Sequence, residues 1–289
     1  MANAQTLLFL SNQLSSKISS AEIEAVAAGT ESGNMHFIRD ANFVTWWKPP
    51  NDLVNNHSIR ADFQDGNLIG AAGETCYWGI AYDPRNIDQT TIILQYDSAD
   101  NPSFSGATSY VIISSGHSSG YQYPTCQWQP FVMPTPAKRY WRVQQRISDR
   151  AGSGRTIKLF YWAMCGPNHI VDIDAGSYGP GLSRSGLLGS GQMSVGPGSV
   201  MSFNNPSISQ QTFDITVTPS NTSMFNKIRD GLYNGDLLER AFFVQYEGLR
   251  NEAETNFFLC RIDRSQWDAL KNVDDTYEIT LPLITEAFL

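Results

Sequence analysis

The chain has 289 residues, 41% of them hydrophobic and 12% aromatic, enough for one large core or two smaller ones. Charged residues make up only 17%, and the formal net charge is −8. That balance, with no Lys/Arg block, argues against a nucleic-acid partner, which needs a concentrated basic face.

The first 34 residues open on Leu7-Leu8-Phe9-Leu10, with no basic residue before it and too short an apolar run for a signal peptide or a membrane span. Cytosolic synthesis and no membrane insertion follow as expectations. Ser20 is placed to cap a short helix from Ala21, with Glu22 and Glu24 near its positive end and Gly29 beyond its last turn. Residues 1–34 have too little apolar surface to fold alone, so they read as an N-terminal arm or docking segment.

Residues 35–170 alternate strand and turn. The strands are expected at Met35–Arg39, His57–Phe63, Cys76–Tyr82, Thr90–Tyr96, Tyr110–Ser114, Gln127–Met133, Arg139–Ile147 and Thr156–Cys165. Pro49-Pro50-Asn51-Asp52, Asp83-Pro84-Arg85-Asn86 and Asp100-Asn101-Pro102 punctuate them. In Arg139–Ile147, Trp141, Val143 and Ile147 share one parity while Tyr140, Arg142, Gln144 and Arg146 share the other, which predicts one dry and one wet face. Thr156–Cys165 is apolar throughout and predicts a strand buried on both faces, ended by Gly166-Pro167. With Gly152-Ser153-Gly154 between them, these two strands read as a long hairpin. The fold class expected is mainly β: a jelly-roll-like antiparallel β-sandwich followed by a small α+β unit.

Residues 171–205 read as a Gly/Ser-rich connecting loop, and residues 206–289 as the α+β unit. In the latter, Thr212–Val217, Phe242–Tyr246, Asn256–Ile262 and Tyr277–Leu283 are strands. Helices are expected around Met224, Phe225, Ile228 and Leu232, and over Ser265–Leu270.

The runs Trp78-Gly79-Ile80-Ala81-Tyr82, Ile92-Ile93-Leu94-Gln95-Tyr96 and Ala137-Lys138-Arg139-Tyr140-Trp141-Arg142-Val143 resemble those of galactose-binding-like (discoidin-like) sandwiches. A sandwich of this kind followed by an α+β segment is similar to tail and baseplate-associated structural proteins of tailed bacteriophages. The resemblance implies a non-enzymatic virion structural protein, a tail, baseplate or fibre-attachment component. It would assemble with other virion proteins and with copies of itself as a trimer or hexamer, after synthesis in the host cytoplasm. A capsid decoration protein and a carbohydrate-binding module for a host surface glycan are the alternatives.

No catalytic residue, cofactor or metal site is expected. Gly116-His117-Ser118-Ser119-Gly120 matches G-x-S-x-G, but a strand rather than a helix follows it, so it reads as a turn. His36, His57, His117 and His169 lack ligand spacing, and Asp97, Asp100, Asp172 and Asp174 supply too few oxygens for calcium. Cys76, Cys126, Cys165 and Cys260 lie in apolar runs and read as buried free thiols. The binding candidates are aromatic: Trp46 and Trp47 beside Pro49-Pro50, with Tyr121 and Tyr123 in another loop, are suited to stack on the apolar faces of sugar rings.

Overall fold

In the computed structural model the described residues are 5–9, 12–14, 23–26, 38–39, 45–48, 57–63, 68–82, 90–100, 103–115, 125–145, 158–174, 184–196, 199–217, 226–230, 241–246, 257–262, 271–273 and 276–285. In chain order their strands are β1 (Gln5–Phe9), β2 (Ile23–Val26), β3 (His57–Asp62), β4 (Thr75–Tyr82), β5 (Thr90–Asp97), β6 (Ala107–Ser115), β7 (Thr125–Val132), β8 (Tyr140–Gln145) and β9 (Leu159–Cys165). A 3₁₀ turn, Pro167–His169, leads to β10 (Ile170–Asp174), β11 (Arg184–Gly196), β12 (Ser199–Val217), β13 (Phe242–Tyr246), β14 (Phe257–Ile262), β15 (Lys271–Val273) and β16 (Thr276–Thr285). The fold is mainly β, and, the β10–β1 neighbours aside, its described strand pairings are antiparallel. Among the described residues no helix is long and apolar enough to cross a membrane.

The chain divides into two compact units, residues 11–170 and residues 1–10 with 171–289. The 11–170 unit is a sandwich of a five-stranded sheet, β2-β3-β8-β5-β6, and a three-stranded sheet, β7-β4-β9. One cluster of buried side chains joins them: Ile59, Ile92, Leu94, Trp141 and Val143 from the first sheet meet Trp78, Ile80, Phe131, Trp162 and Met164 from the second. Strand periodicity sends alternate residues to this core, as Trp141 and Val143 show. On the opposite face of the five-stranded sheet Arg142 Nε donates to Gln95 Oε1 at 2.7 Å, and Gln95 Nε2 donates to Ser109 Oγ at 2.8 Å. The expected wet face of β8 is therefore a cross-strand polar ladder.

β8 and β9 do not form the hairpin that their sequence suggests. β8 pairs with β3 and β5, whereas β9 pairs with β4, so the chain crosses from one sheet to the other between them. A strand with one apolar face and a strand apolar on both faces can bury those faces equally well as sheet neighbours or on opposite sides of a core, and here the second arrangement wins.

β9 lies at the edge of its sheet and is buried along its whole length. Its exposed-edge backbone groups are closed by pieces of chain rather than by another strand. Trp47 exchanges two backbone hydrogen bonds with Leu159, at 2.9 and 2.8 Å. Asn12 Nδ2 donates to Trp162 O at 2.9 Å, and Asn12 Oδ1 accepts from Met164 N at 3.0 Å. Gln13 Oε1 then accepts from Gly166 N at 2.7 Å. A buried edge must have its N–H and C=O groups satisfied, and here two side-chain amides do this.

The other unit holds the order β10-β1-β13-β14-β16-β12-β11, with β15 on β16. Residues 226–230 are helical, within the stretch expected to be a helix around Ile228. The Ser265–Leu270 expectation lies outside the described residues.

Two further expectations change. The stretch read as a Gly/Ser-rich loop, 171–205, contains β10, β11 and the start of β12, with β11 and β12 paired as a long hairpin. Gly and Ser weaken a strand without forbidding the backbone ladder. The register passes from Leu188↔Ser209 to Ser190↔Asn204, so Pro206, which has no N–H, lies in a bulge. In the N-terminal 34 residues, Ile23–Val26 is a strand on β3 rather than part of a helix, and Gln5–Phe9 pairs with β13. Of the described parts of that segment, Gln5–Phe9 and Ile23–Val26 belong to the chain's own sheets, and Asn12 and Gln13 cap β9.

Candidate functional site

Trp46 and Trp47 are separated by their positions in an extended backbone, which sends neighbouring side chains to opposite sides. Trp47, locked to Leu159 by two backbone bonds, has no exposed surface and sits in the sandwich core. It is therefore corrected from a binding candidate to a core residue, since a ring with no accessible face cannot stack on a ligand. Trp46 is 38% exposed, with the Lys158 ammonium 4.2 Å from its ring centroid. A cation over an indole face is attracted by the ring quadrupole and steadies the ring. The result is an aromatic platform on a rigid base: its neighbour is packed in the core, and its cationic partner precedes β9.

Tyr121 and Tyr123 lie outside the described residues, as does Gly116–Gly120. Thr125, the first described residue after the tyrosines, pairs with Tyr82. Tyr82 also pairs with Leu159, so Thr125 lies at the same end of the three-stranded sheet as Trp46 and Lys158.

The acidic loop after β5 is occupied by its own backbone. Asp97 accepts from Ala99 N at 2.8 Å and Gly106 N at 2.9 Å, while Asp100 accepts from Arg139 N at 2.8 Å and Tyr140 N at 3.2 Å. The buried Lys138 donates to Ser98 O at 2.6 Å, and the Arg142 guanidinium lies 4.4 Å from the Phe104 ring centroid. Asp100 and Phe104 adopt φ of 55° and 53°, conformations that this network holds. Burial lowers the Arg142 pKa, and the nearby Asp97 charge opposes that shift. These carboxylates act as turn anchors. Among the described residues no group of three or more His, Cys, Asp and Glu is placed to hold a metal ion.

At the other end of β9, about 20 Å away at ~3.3 Å per residue, is a pocket of about 400 Å³ that the aromatic reading missed. It lies between the loop before β4 and the 3₁₀ turn after β9, and Gln13, Glu74, Asn168 and His169 bring polar groups to it. Glu74 Oε2 accepts from Ala71 N at 2.7 Å, which fixes the carboxylate at the rim. In the sequence, Gly166-Pro167 is legible as a strand stop and His169 as a histidine without ligand spacing, but nothing there brings the two loops together.

The thiols behind this pocket are unreactive in character. Burial, with Glu74 adding to it, pushes Cys76 up to about 12, and burial with Cys76 adding to it raises Cys165. All four cysteines are buried, and none is in a disulfide. A thiol whose folded pKa is raised contributes stability below its unfolded pKa of about 8.5, and this is lost as pH rises toward the folded value. Urea melts from about pH 8 to pH 11 should show stability falling by up to ~1.4 kcal/mol per pH unit for each thiol. The slope should be shallower in Cys76→Ala; an identical slope would contradict the assignment.

Comparison with protein-family models gives no match, and comparison with curated proteins gives none at the significance applied. Among solved structures, the chain is similar to chitosan-binding module 1 of a chitosanase/glucanase from Paenibacillus sp. IK-5, with 14% identity, TM-score 0.31, and coverage of 50% of this chain and 96% of that one. It is similar to the family 32 CBM of C. perfringens NanJ in complex with galactose, with 11% identity, TM-score 0.33, and coverage of 55% and 98%. The enzymatically active domain of bacteriophage CBA120 tailspike protein 4 is also similar, with 11% identity and TM-score 0.34; the match covers 54% of this chain and 21% of that one. The sandwich assignment of the 11–170 unit stands on its own two sheets and shared core.

Proposed function

We propose that the 11–170 sandwich is a carbohydrate-binding module, carried by a non-enzymatic component of a virion such as a phage tail, baseplate or fibre-attachment part. The observation that carries the binding reading is Trp46: an indole 38% exposed, on a segment fixed to β9 through Trp47. Sugar rings present apolar C–H faces to such a platform, while their hydroxyls bond to polar neighbours. Trp46→Ala should weaken binding to a recognised glycan by about 30-fold, the scale of a ~2 kcal/mol aromatic anchor, with an unchanged melting temperature. Unchanged affinity in that variant would remove Trp46 from the site.

The assembly reading is favoured by β11, an outermost strand with a described partner on one side only. Thirteen residues of strand edge form a template for another strand, from a second copy or a neighbouring virion protein. A trimer or hexamer is expected by light scattering after size exclusion, and a strict monomer at high concentration would count against self-assembly. Deleting residues 1–34 is not a clean test of this reading, because it removes β1, β2 and the caps on β9.

A further inference from the structure

We propose that the pocket at the Gly166 end of the sandwich binds a hydroxyl-rich ligand carrying a cationic amine, in its simplest form an amino sugar. The site does not depend on the Trp46 reading, from which it is separated by the length of β9.

The pocket is built around backbone that leaves no alternative packing. A Cβ on Gly166 would meet Ile69 O at 2.1 Å, so the two loops touch there and hold the walls at a fixed separation. Gly70 stands over Cys76, where a Cβ would meet Sγ at 2.7 Å and Glu74 Oε2 at 3.1 Å. At about 400 Å³ the volume suits one or two sugar rings rather than a peptide.

Its chemistry selects charge. Gln13 is 1% exposed, and its Oε1 is committed to Gly166 N. Its side-chain amide also lines the pocket wall. Asn168 and His169 add side-chain groups able to bond hydroxyls, and Pro167 and Leu68 add apolar surface for a C–H face. Glu74 supplies a carboxylate whose Oε2 is held by Ala71 N, leaving Oε1 to accept from a ligand. No Lys or Arg is among the described lining residues, so an anion would meet an uncompensated carboxylate. An ammonium group would meet a partner.

The test uses three sugars that share a ring and differ in charge: glucosamine, glucose and glucuronate, titrated into the labelled full-length chain near pH 6.5 and at low salt. Shifts in the Gly70, Ala71 and Asn168 amide signals report binding. Glucosamine should bind two- to fivefold more tightly than glucose, the range an exposed ion pair supplies, and glucuronate more weakly than glucose. Glu74→Gln keeps an acceptor for Ala71 N and should make glucosamine and glucose equal. Ala71→Trp, at an exposed rim position, should block all three, while Trp46→Ala should leave all three unchanged. The proposal is overturned if glucuronate binds as well as glucose, or if none of the three sugars moves those amides. Glycan binding that is unchanged in Trp46→Ala, with these titrations behaving as expected, would sink the Trp46 site alone.

Discussion

Trp47→Ala should destabilise the 11–170 sandwich by about 3–5 kcal/mol, while Trp46→Ala should cost under about 1 kcal/mol. The two residues share a side-chain type and a sequence neighbourhood, so the contrast isolates burial. Trp47 has no exposed surface and packs in the cluster that contains Trp78, Trp141 and Trp162. Removing its indole deletes a large buried apolar surface and leaves a cavity that a close-packed core cannot collapse to fill. A domain of this size is stable by roughly 5–15 kcal/mol, so the loss is a large share of the total. Among the described residues Trp47 Nε1 is buried with no hydrogen-bond partner, unlike Trp141 Nε1, which donates to Lys138 O at 3.0 Å. Trp47→Phe should therefore recover much of the loss, because it restores ring packing and removes an unsatisfied donor. Equal unfolding free energies for Trp46→Ala and Trp47→Ala in chemical denaturation would contradict the placement.

Gly166→Ala should cost about 2–3 kcal/mol, large for a single methyl group. The residue has φ of −85° and ψ of 178°, an extended conformation open to any amino acid and favoured before proline. Backbone strain is thus not the obstacle. The new Cβ would meet the Ile69 carbonyl oxygen at 2.1 Å and its carbon at 3.2 Å, both backbone atoms that move only with their loop. Any shift also disturbs the Gly166 N–H bond to Gln13, which would leave a buried polar pair imperfectly satisfied. Urea denaturation of wild type and variant measures the difference. By contrast, Gly73 has φ of 82° and open space around its Cβ position, so Gly73→Ala should cost through backbone strain, at about 1 kcal/mol.

These two positions mark how far the sequence could be read. Gly166-Pro167 is visible as a strand stop, but the need for glycine comes from Ile69, almost a hundred positions earlier. The strand locations from His57 to Cys165 are legible because apolar alternation is local, as is the dry face formed by Trp141 and Val143. Partner choice is not local. β8 alternates, β9 is apolar throughout, and turn residues lie between them as in a hairpin, yet the two strands lie in different sheets. The caps on β9 are equally silent: Asn12 and Gln13 sit in a polar stretch without a motif, some 150 positions from the strand they complete. In 171–205, glycine and serine outweighed the strand signal, because their effect on a ladder is a weakening rather than a veto. Of the binding candidates, the pair Trp46 and Trp47 was legible as a pair. Which ring faces outward is decided by the bridge to Leu159, which only the fold reveals.

The most direct measurement is binding of the full-length chain and of Trp46→Ala to one glycan array under identical conditions. Binding of the wild type to a defined subset of glycans, lost in a variant that melts at the same temperature, is the predicted result. A wild-type chain that binds nothing across the array, or a variant with an unchanged pattern and strength, would contradict the assignment of this sandwich as a carbohydrate-binding module acting through Trp46.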